Sequence, residues 1–398
     1  MKQERLRICL LMQGGLGWIA GIEYIKNIAI ALGSLPPEVR STFDLLLLCS
    51  KTTNEDIQQQ VKPYLDELLY EEDCLEPINL VNQVYWKGIK IVSGQLSPRL
   101  DKFFKARSID FVYPYLSSNA ANQPYKSADC IFDLQHKYLT NFFSAEDISG
   151  RDSWFSGVAD RAGTIVLNSK SAESDMHKFF PASIGKTKVL CFKTVPIPKW
   201  FEGDPIRVQQ EYCLPDKFFL ISNQFWQHKN HLMVFKALNL LKQDGIYPVV
   251  VCTGHIYDNR KPDHSDTILQ SIHKLGLSQQ VYLLGLIPKF DQVQLMRRAS
   301  AIIQPSLFEG WSTLVEDARL LGKSIILSNL PVHIEQNPPN SAFFECESPE
   351  HLAKLMGEWW EKLHPGPDLE REAIAIETAS IEVREFGHRF LEIAKDVL

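Results

Sequence analysis

The segment Pro305–Ala318 constrains this chain most, because it places one carboxylate in a glycine turn and a second carboxylate eight positions later. The apolar run before it, Ala301–Ile303, is typical of a buried parallel strand. The residues after the turn have the spacing of a helix that packs on a sheet, with apolar positions at Leu314, Val315, Ala318, Leu320 and Leu321. The segment is therefore expected to form a strand, a tight turn and a helix.

The start of this predicted helix has the features of a phosphate site. Gly310 allows a tight turn and Ser312 or Thr313 is a natural N-cap, so backbone N–H groups would face an anion above the strand ends. Glu309 in the turn and Asp317, about two helical turns below the cap, would accept hydrogen bonds from hydroxyls on either side of that phosphate. A sugar nucleotide has this layout. The alternative is that both acids are simply solvated.

Residues 309–317 resemble the E-x7-E signature of retaining glycosyltransferases of the GT-B fold, family four, and are most similar to the subgroup that reads EGWSTxVEE. The resemblance implies that Glu309 contacts the donor hexose and that Asp317 occupies the position of the ribose-binding carboxylate. Asp317 keeps the charge of the family's Glu but is one methylene shorter. The residues between the two carboxylates are candidate donor-binding positions: Gly310, Trp311, Ser312, Thr313 and Leu314. The similarity continues through Gly322–Gln336.

Length and composition agree with a soluble globular protein of two domains. A chain of 398 residues exceeds the size at which one core keeps growing. A hydrophobic fraction of 45% and a charged fraction of 23% exclude a mainly disordered chain, and a net charge of -6 argues against nucleic acid as a partner. The eight cysteines form no C-x-x-C pair, which favours a reducing cytoplasm. We expect no signal peptide and no membrane span.

The rest of the chain alternates strand-length apolar runs, such as Leu6–Met12 and Phe43–Cys49, with helical segments. This alternation predicts parallel α/β sheets. Prolines and a glycine interrupt Val195–Pro205, and a new strand follows near Phe218. We therefore predict an α/β protein of the GT-B fold, with two Rossmann-like domains and an interdomain cleft. The predicted division is an acceptor-side domain over 1–198, a nucleotide-sugar-binding domain over 199–375, and a helix over 376–398 that returns to the first domain.

Two candidate sites lie in the first domain. The glycine loop 14–21 follows the first predicted strand, where α/β sheets bind ligands. Under the resemblance, Gly15 and Gly17 would line the cleft beneath the donor diphosphate; a plain tight turn is the alternative. His136 also follows a predicted strand, and it matches the family's histidine near the donor sugar. A structural histidine is the alternative there.

The second domain contributes further candidates. Lys229 lies between a predicted strand and a helix, where an ammonium group can neutralise a departing diphosphate; a solvent-facing lysine is the alternative. The family usually carries an Arg five or six residues earlier, but this chain has Gln224 and Asn223, whose amides donate hydrogen bonds without charge. Another cation must then substitute, or Lys229 carries more of the load. Leu286 and Ile287 follow a predicted strand and would border the nucleobase.

The resemblance implies transfer of a hexose from a GDP- or UDP-linked donor to a hydroxyl acceptor with retention, as in glycan, glycolipid or polysaccharide synthesis. GDP-mannose is one of the family's common donors. The chain has no D-x-D motif, so we expect no metal and no cofactor beside the donor substrate. The alternatives are a sugar-nucleotide epimerase and a non-catalytic sugar-nucleotide-binding protein of the same fold.

The acceptor partner is expected to be a glycan or a lipid-linked molecule. Arg99–Arg107 mixes four cations with three large apolar residues, which would suit peripheral contact with anionic lipid headgroups. The alternative is an amphipathic helix whose Leu100, Phe103 and Phe104 pack into the core. We therefore expect a cytoplasmic protein, with the inner membrane face as a candidate location.

Overall fold

The computed structural model describes residues 5–14, 19–75, 97–115, 123–258 and 260–398. The chain divides into two compact units. The first unit comprises Met1–Phe132, Ser149–Val195 and Ile381–Leu398, and the second comprises Asp133–Ile148 and Pro196–Ser380. Residues 133–148 therefore group with the second unit, although they lie within the domain predicted over 1–198.

The described residues of the first unit form two parallel sheets. The larger has the strand order β3-β2-β1-β4-β5, and the smaller has the order β6-β7-β8. The apolar run Phe43–Cys49 forms β2 as predicted, with Leu45 to Leu48 buried. The strands are β1 Leu6–Leu11, β2 Phe43–Cys49, β3 Glu67–Tyr70, β4 Phe111–Tyr113, β5 Lys126–Ser127, β6 Asp129–Ile131, β7 Ile165–Leu167 and β8 Thr187–Val189. The helices in this part of the sequence are α1 Ile19–Gly33, α2 Pro37–Arg40, α3 Glu55–Val61, α4 Glu71–Cys74, α5 Pro98–Ala106, α6 Ala145–Arg161 and α7 Lys170–Phe179.

The second unit is built on one six-stranded parallel sheet with the order β11-β10-β9-β12-β13-β14. Its strands are β9 Phe219–Ser222, β10 Val250–Thr253, β11 Val281–Gly285, β12 Ala301–Gln304, β13 Ile325–Ser328 and β14 Ser341–Phe344. Its helices are α8 Pro198–Glu202, α9 Pro205–Glu211, α10 His231–Gln243, α11 His264–Lys274, α12 Lys289–Arg298, α13 Thr313–Leu320, α14 Pro331–Gln336 and α15 Pro349–Lys362. The predicted alternation of strands and helices is confirmed, and the chain is an α/β protein.

The last helix, α16 Leu369–Val397, belongs to both units. Its residues from Ile381 onward are part of the first unit, where the Phe390 ring packs edge-on against Tyr113 at 5.1 Å. No helix in the described ranges is long and apolar enough to cross a membrane.

The sheet of the second unit has a hydrophobic core on each face. Alternate residues of β9 enter different cores: Phe219 and Ile221 join one, while Leu220 joins the other together with the preceding Phe218. This follows from the two-residue period of a strand, and burial on both faces explains why the run Phe218–Ile221 is continuously apolar.

The order of the strands creates a switch point in the middle of this sheet. The chain runs outward from β9 to β10 and β11, then returns to β12 on the other side of β9 and continues to β13 and β14. The chain therefore leaves the neighbouring strands β9 and β12 in opposite directions along the sheet. Open α/β sheets bind ligands outside the carboxyl ends of the strands at such a point. The predicted residues Lys229 and Glu309 lie on these two loops.

Candidate functional site

Hydrogen bonds join the loop after β9 directly to the loop after β12. The N–H of Leu307 donates to the carbonyl oxygen of His228 at 2.8 Å, and the Asn230 side chain donates to the carbonyl oxygen of Pro305 at 3.2 Å. Asn230 adopts a left-handed conformation with φ of 57°, which asparagine tolerates better than most residues. Two segments about eighty residues apart in sequence are thus fixed beside each other.

Lys229 and Glu309 form an ion pair at this junction. The Lys229 Nζ lies 2.5 Å from Glu309 Oε1, and the two side chains are only 15% and 9% exposed. Breaking such a partly buried pair from one side leaves the other charge uncompensated. The structure therefore brings two of the three predicted catalytic residues into direct contact.

Neutral donors hold the same carboxylate oxygen. Glu309 Oε1 also accepts hydrogen bonds from Gln304 Nε2 at 3.0 Å and from Ser306 Oγ at 2.7 Å. Glu309 Oε2 has no hydrogen-bond or ion-pair partner among the residues that the structure describes. The carboxylate is thus oriented through one oxygen, while the other can accept a hydrogen bond from a ligand.

Gln304 connects this carboxylate to its surroundings. It is the last residue of β12 and is fully buried. Its Oε1 accepts from Asn223 Nδ2 at 2.6 Å, and its Nε2 also donates to Ser312 Oγ at 3.1 Å. Asn223, predicted to bind the donor, is itself 7% exposed and uses its amide within this network.

Ser312, one of the two predicted N-cap residues, caps α13. Its Oγ accepts a hydrogen bond from the N–H of Val315 at 3.4 Å, and Thr313 is the first helical residue. Gln336 braces the cap, since its Nε2 donates to Ser312 O at 3.0 Å and its Oε1 accepts from Ser312 N at 3.2 Å. Leu314 points into the core, so only its backbone is available to a ligand.

The second carboxylate of the motif forms a separate ion pair. Asp317 lies in the second turn of α13, and its Oδ2 is 2.5 Å from the Nζ of Lys289, the first residue of α12. The Asp317 side chain is 7% exposed and that of Lys289 is 34% exposed. Lys289 was absent from the sequence-based candidates.

His136 lies in the second unit, on the short 3-10 turn Gln135–Lys137. Its ring is fully buried and stands edge-on to Phe143 at 6.4 Å. On the same segment, Tyr138 stacks on Phe308 with ring centroids 5.5 Å apart. This stacking places the turn that carries His136 close to the loop that carries Glu309.

The remaining candidates differ in position. Leu286 is exposed and Ile287 is half-buried after β11, where Gly285 has φ of 70°. Gln224 and Trp311 are half-buried, and Gly310 is buried. Gly15 and Gly17 lie outside the described residues.

Two buried histidines near the ion pair stay neutral at pH 7. Burial lowers the pKa of His228 well below its ordinary value, and the positive charges of Lys229 and Arg260 lower it further. Burial also lowers the pKa of His333, although the nearby Glu309 opposes this shift. His333 donates through Nδ1 to the carbonyl oxygen of Ser328 at 2.9 Å.

Sequence reasoning missed several residues that support the site. One signal was present for Gln304, because a polar residue that ends a buried apolar strand needs a partner. Lys289, Gln336 and His333 carry no comparable signal, since their partners lie on other elements of the fold. Ser306 lies on the same loop as its partner Glu309, three residues before it.

Residues 205–373 match the family model described as Glycosyl transferases group 1. No curated protein matches the sequence.

Several solved structures are similar to the chain over nearly its whole length. A glycosyltransferase from Rickettsia africae has 14% sequence identity and a TM-score of 0.67, over 99% of this chain and 98% of that chain. HepE from Anabaena, in complex with UDP and glucose, has 16% identity and a TM-score of 0.66, over 98% and 100%. Sucrose-phosphate synthase from Thermosynechococcus elongatus has 14% identity and a TM-score of 0.59, over 96% and 100%. The predicted GT-B fold, with two Rossmann-like domains, is confirmed, and with the family match over residues 205–373 it supports a glycosyltransferase.

Proposed function

We propose that this protein is a retaining glycosyltransferase that moves a hexose from a nucleoside-diphosphate sugar to a hydroxyl acceptor. The observation that carries the proposal is the Glu309 carboxylate, held through Oε1 by Lys229, Gln304 and Ser306 beside the N-terminus of α13. A fixed carboxylate oxygen is suited to orient a sugar hydroxyl, and orientation supplies a large part of catalysis in group transfer.

The leaving group would be stabilised by positive charge and by backbone dipoles. Lys229 and the N–H groups at the start of α13 are the candidate donors to the diphosphate. The bond between the anomeric carbon and the diphosphate oxygen breaks as the acceptor oxygen bonds the same face of that carbon. The acceptor proton then passes to the leaving phosphate. Under this scheme His136 contacts the donor sugar, and the protein needs neither a metal ion nor a cofactor.

Asp317 and the loop after β11 would hold the nucleoside. Asp317 accepts hydrogen bonds from ribose hydroxyls, while Leu286 and Ile287 border the base. HepE, similar in fold at 16% identity, was solved with UDP and glucose, which makes UDP-hexoses the first donors to test. GDP-linked hexoses, GDP-mannose among them, are the second class. We further propose a cytoplasmic enzyme that acts on a glycan or lipid-linked acceptor in polysaccharide or glycolipid synthesis.

Contact with a membrane would depend on charge. Phe103 and Phe104 of α5 are buried, as expected for a helix that packs into the core, so they are unavailable to lipid. The cations Arg99, Lys102 and Arg107 around the same helix remain candidates for anionic headgroups at the inner membrane face.

The test is a thermal-shift and hydrolysis screen with UDP-, GDP- and ADP-sugars, with and without magnesium, on the wild type and on Glu309→Ala and Lys229→Ala. We expect one nucleotide class to raise the Tm without magnesium, and we expect both substitutions to weaken that shift and the slow hydrolysis of the donor. Binding without hydrolysis or transfer would favour the non-catalytic alternative. Conversion of the donor into an isomeric sugar nucleotide would favour an epimerase, and no response to any donor would overturn the proposal.

A further inference from the structure

Arg260, on the loop after β10, lies beside the turn that carries Lys229. Its Nη2 is 3.3 Å from Nδ1 of His228, the residue that precedes Lys229. Its Nη1 donates to Gln135 Oε1 at 2.8 Å, and Gln135 precedes His136. The guanidinium group therefore contacts the immediate neighbours of two candidate site residues. No motif in the sequence singled it out.

The surroundings of Arg260 fix its plane. The guanidinium carbon lies 5.1 Å from the centroid of the Phe143 ring and 5.2 Å from that of the Trp226 ring. Stacking on two aromatic rings and a fixed hydrogen bond orient this group before any ligand binds. The side chain is 24% exposed, so part of it can still reach a ligand.

The cations at the site differ in how closely each is paired with a carboxylate. Lys229 is paired with Glu309 and Lys289 with Asp317, each at 2.5 Å. Asp258 faces the Nε of Arg260 at 3.4 Å, but it also accepts from the backbone N–H groups of Gln227 at 3.1 Å and of Arg260 at 3.0 Å. Within the described residues, the two terminal nitrogens of Arg260 meet only the neutral atoms of Gln135 and His228.

A diphosphate leaving group brings more than one negative charge, and the single ammonium group of Lys229 is already shared with Glu309. We propose that Arg260 is the second cation of the donor site and that it binds the diphosphate together with Lys229. This inference rests on the proposed function. Planar guanidinium groups suit this task because they bind phosphate through two parallel hydrogen bonds. His228 does not add a third charge, because burial lowers its pKa and keeps it neutral.

The test compares nucleotides that differ in one phosphate. We would measure Kd for UDP and UMP, or for GDP and GMP if guanine is the preferred base, on the wild type, Arg260→Gln, Arg260→Lys and Arg207→Gln. Arg207 is the matched control, since its side chain is 76% exposed on α9 in the same unit. We expect the preference for diphosphate over monophosphate to fall at least tenfold in Arg260→Gln and less in Arg260→Lys, and to stay unchanged in Arg207→Gln.

The ratio of the two Kd values is the decisive quantity, because a loss of folded protein weakens both ligands equally. Inorganic pyrophosphate, added as a competitor, should bind Arg260→Gln at least tenfold more weakly than the wild type. Equal losses of UDP and UMP would show a purely structural role and overturn the inference, as would an unchanged ratio. If the wild type binds no nucleotide at all, the proposed function fails as well; wild-type binding with an unaffected Arg260→Gln contradicts only this inference.

Discussion

The two carboxylates of the motif, Glu309 and Asp317, each form an ion pair of 2.5 Å with a lysine, yet the two pairs are built differently. The side chains of the Glu309 pair are only 9% and 15% exposed, and neutral donors from Gln304 and Ser306 fix the carboxylate on an irregular turn. Asp317 is carried by a regular helix, and its lysine is one-third exposed. The two carboxylates of one short motif are therefore placed by different means: Glu309 by a polar network and Asp317 by a helix.

The largest loss of activity is expected when Glu309, the carboxylate held by the polar network, is substituted. Glu309→Gln preserves the shape of the side chain but removes the charge that holds Lys229, and an amide also offers the sugar a weaker acceptor. We expect transfer, measured as kcat, to fall about 100-fold or more, because preorganised polar groups at reacting centres typically contribute this much. Glu358→Gln, on the exposed face of α15, is the matched control and should change nothing. If kcat of Glu309→Gln fell by less than about tenfold, the polar network around Glu309 would not distinguish this ion pair from that of Asp317.

Gly254 packs against the backbone of Asn223, which belongs to the hydrogen-bond network that holds Glu309. Gly254 follows β10 with φ of 138°, and a Cβ at this position would overlap the backbone oxygen of Asn223. Asn223 holds Gln304, which in turn holds Glu309. We expect Gly254→Ala to lower the free energy of unfolding by about 3 kcal/mol, since overpacking and a left-handed alanine both cost stability.

Gly245→Ala is the matched control for that substitution. Gly245 also has a positive φ, of 77°, but a Cβ there meets no atom within 4 Å. Gly245→Ala should lower the free energy of unfolding, measured with urea, by about 1 kcal/mol, because only the backbone conformation becomes unfavourable. Equal losses in the two variants would contradict the close approach of Gly254 to Asn223.

A smaller effect is expected at Asp317. Asp317→Asn should weaken nucleotide binding about tenfold, because an amide oxygen accepts a weaker hydrogen bond from a ribose hydroxyl than a carboxylate does. The effect should appear in Kd and KM and leave kcat within about threefold of the wild type. Asp266→Asn, at an exposed position of α11, provides the control. A loss of kcat equal to that of Glu309→Gln would make the two carboxylates equivalent.

Local features of this site were predictable from the sequence, but their partners were not. The strand that starts at Ala301, the turn and a cap at Ser312 or Thr313 follow from short-range chemistry. In the structure Ser312 is the cap and Thr313 is the first helical residue. The contact between Lys229 and Glu309 depends instead on β9 and β12 being neighbours in the sheet. Strand order is set by packing over the whole unit, so no local pattern reveals it. Arg260 lies on an irregular loop, and its partners Gln135 and His228 are distant in sequence. No local sequence pattern therefore indicates its role.

The fold shows the same division between local and long-range information. Continuous apolar runs such as Phe43–Cys49 predicted buried strands, because strands covered on both faces lack alternation. The short strand Thr187–Val189 is half-buried at the edge of its sheet and has no such run. His136 was expected in the first domain, but its segment groups with the second unit, since that grouping reflects contacts rather than chain order.

The smallest expected effect is a pH dependence of the free energy of unfolding, caused by a buried histidine close in sequence to Lys229. His231 starts α10 two residues after Lys229, stacks on Phe225 at 4.3 Å, and is fully buried. Burial lowers the pKa of His231 from 6.5 to about 3. Between these two values the unfolded chain binds a proton that the folded chain does not, so stability falls as the pH drops below about 6.5. One such group accounts for about 1.4 kcal/mol at pH 5.5.

His231→Phe keeps the stacking on Phe225 and removes the titrating group. We expect the loss of unfolding free energy between pH 7.5 and pH 5.5 to be smaller than in the wild type by about 1.4 kcal/mol. His273→Gln, at an exposed position of α11, should leave the pH dependence unchanged. An identical slope in the wild type and His231→Phe would show that this histidine is protonated in the folded state. The region around Lys229 would then hold an additional positive charge, and burial would no longer distinguish the Glu309 pair from the more exposed Asp317 pair.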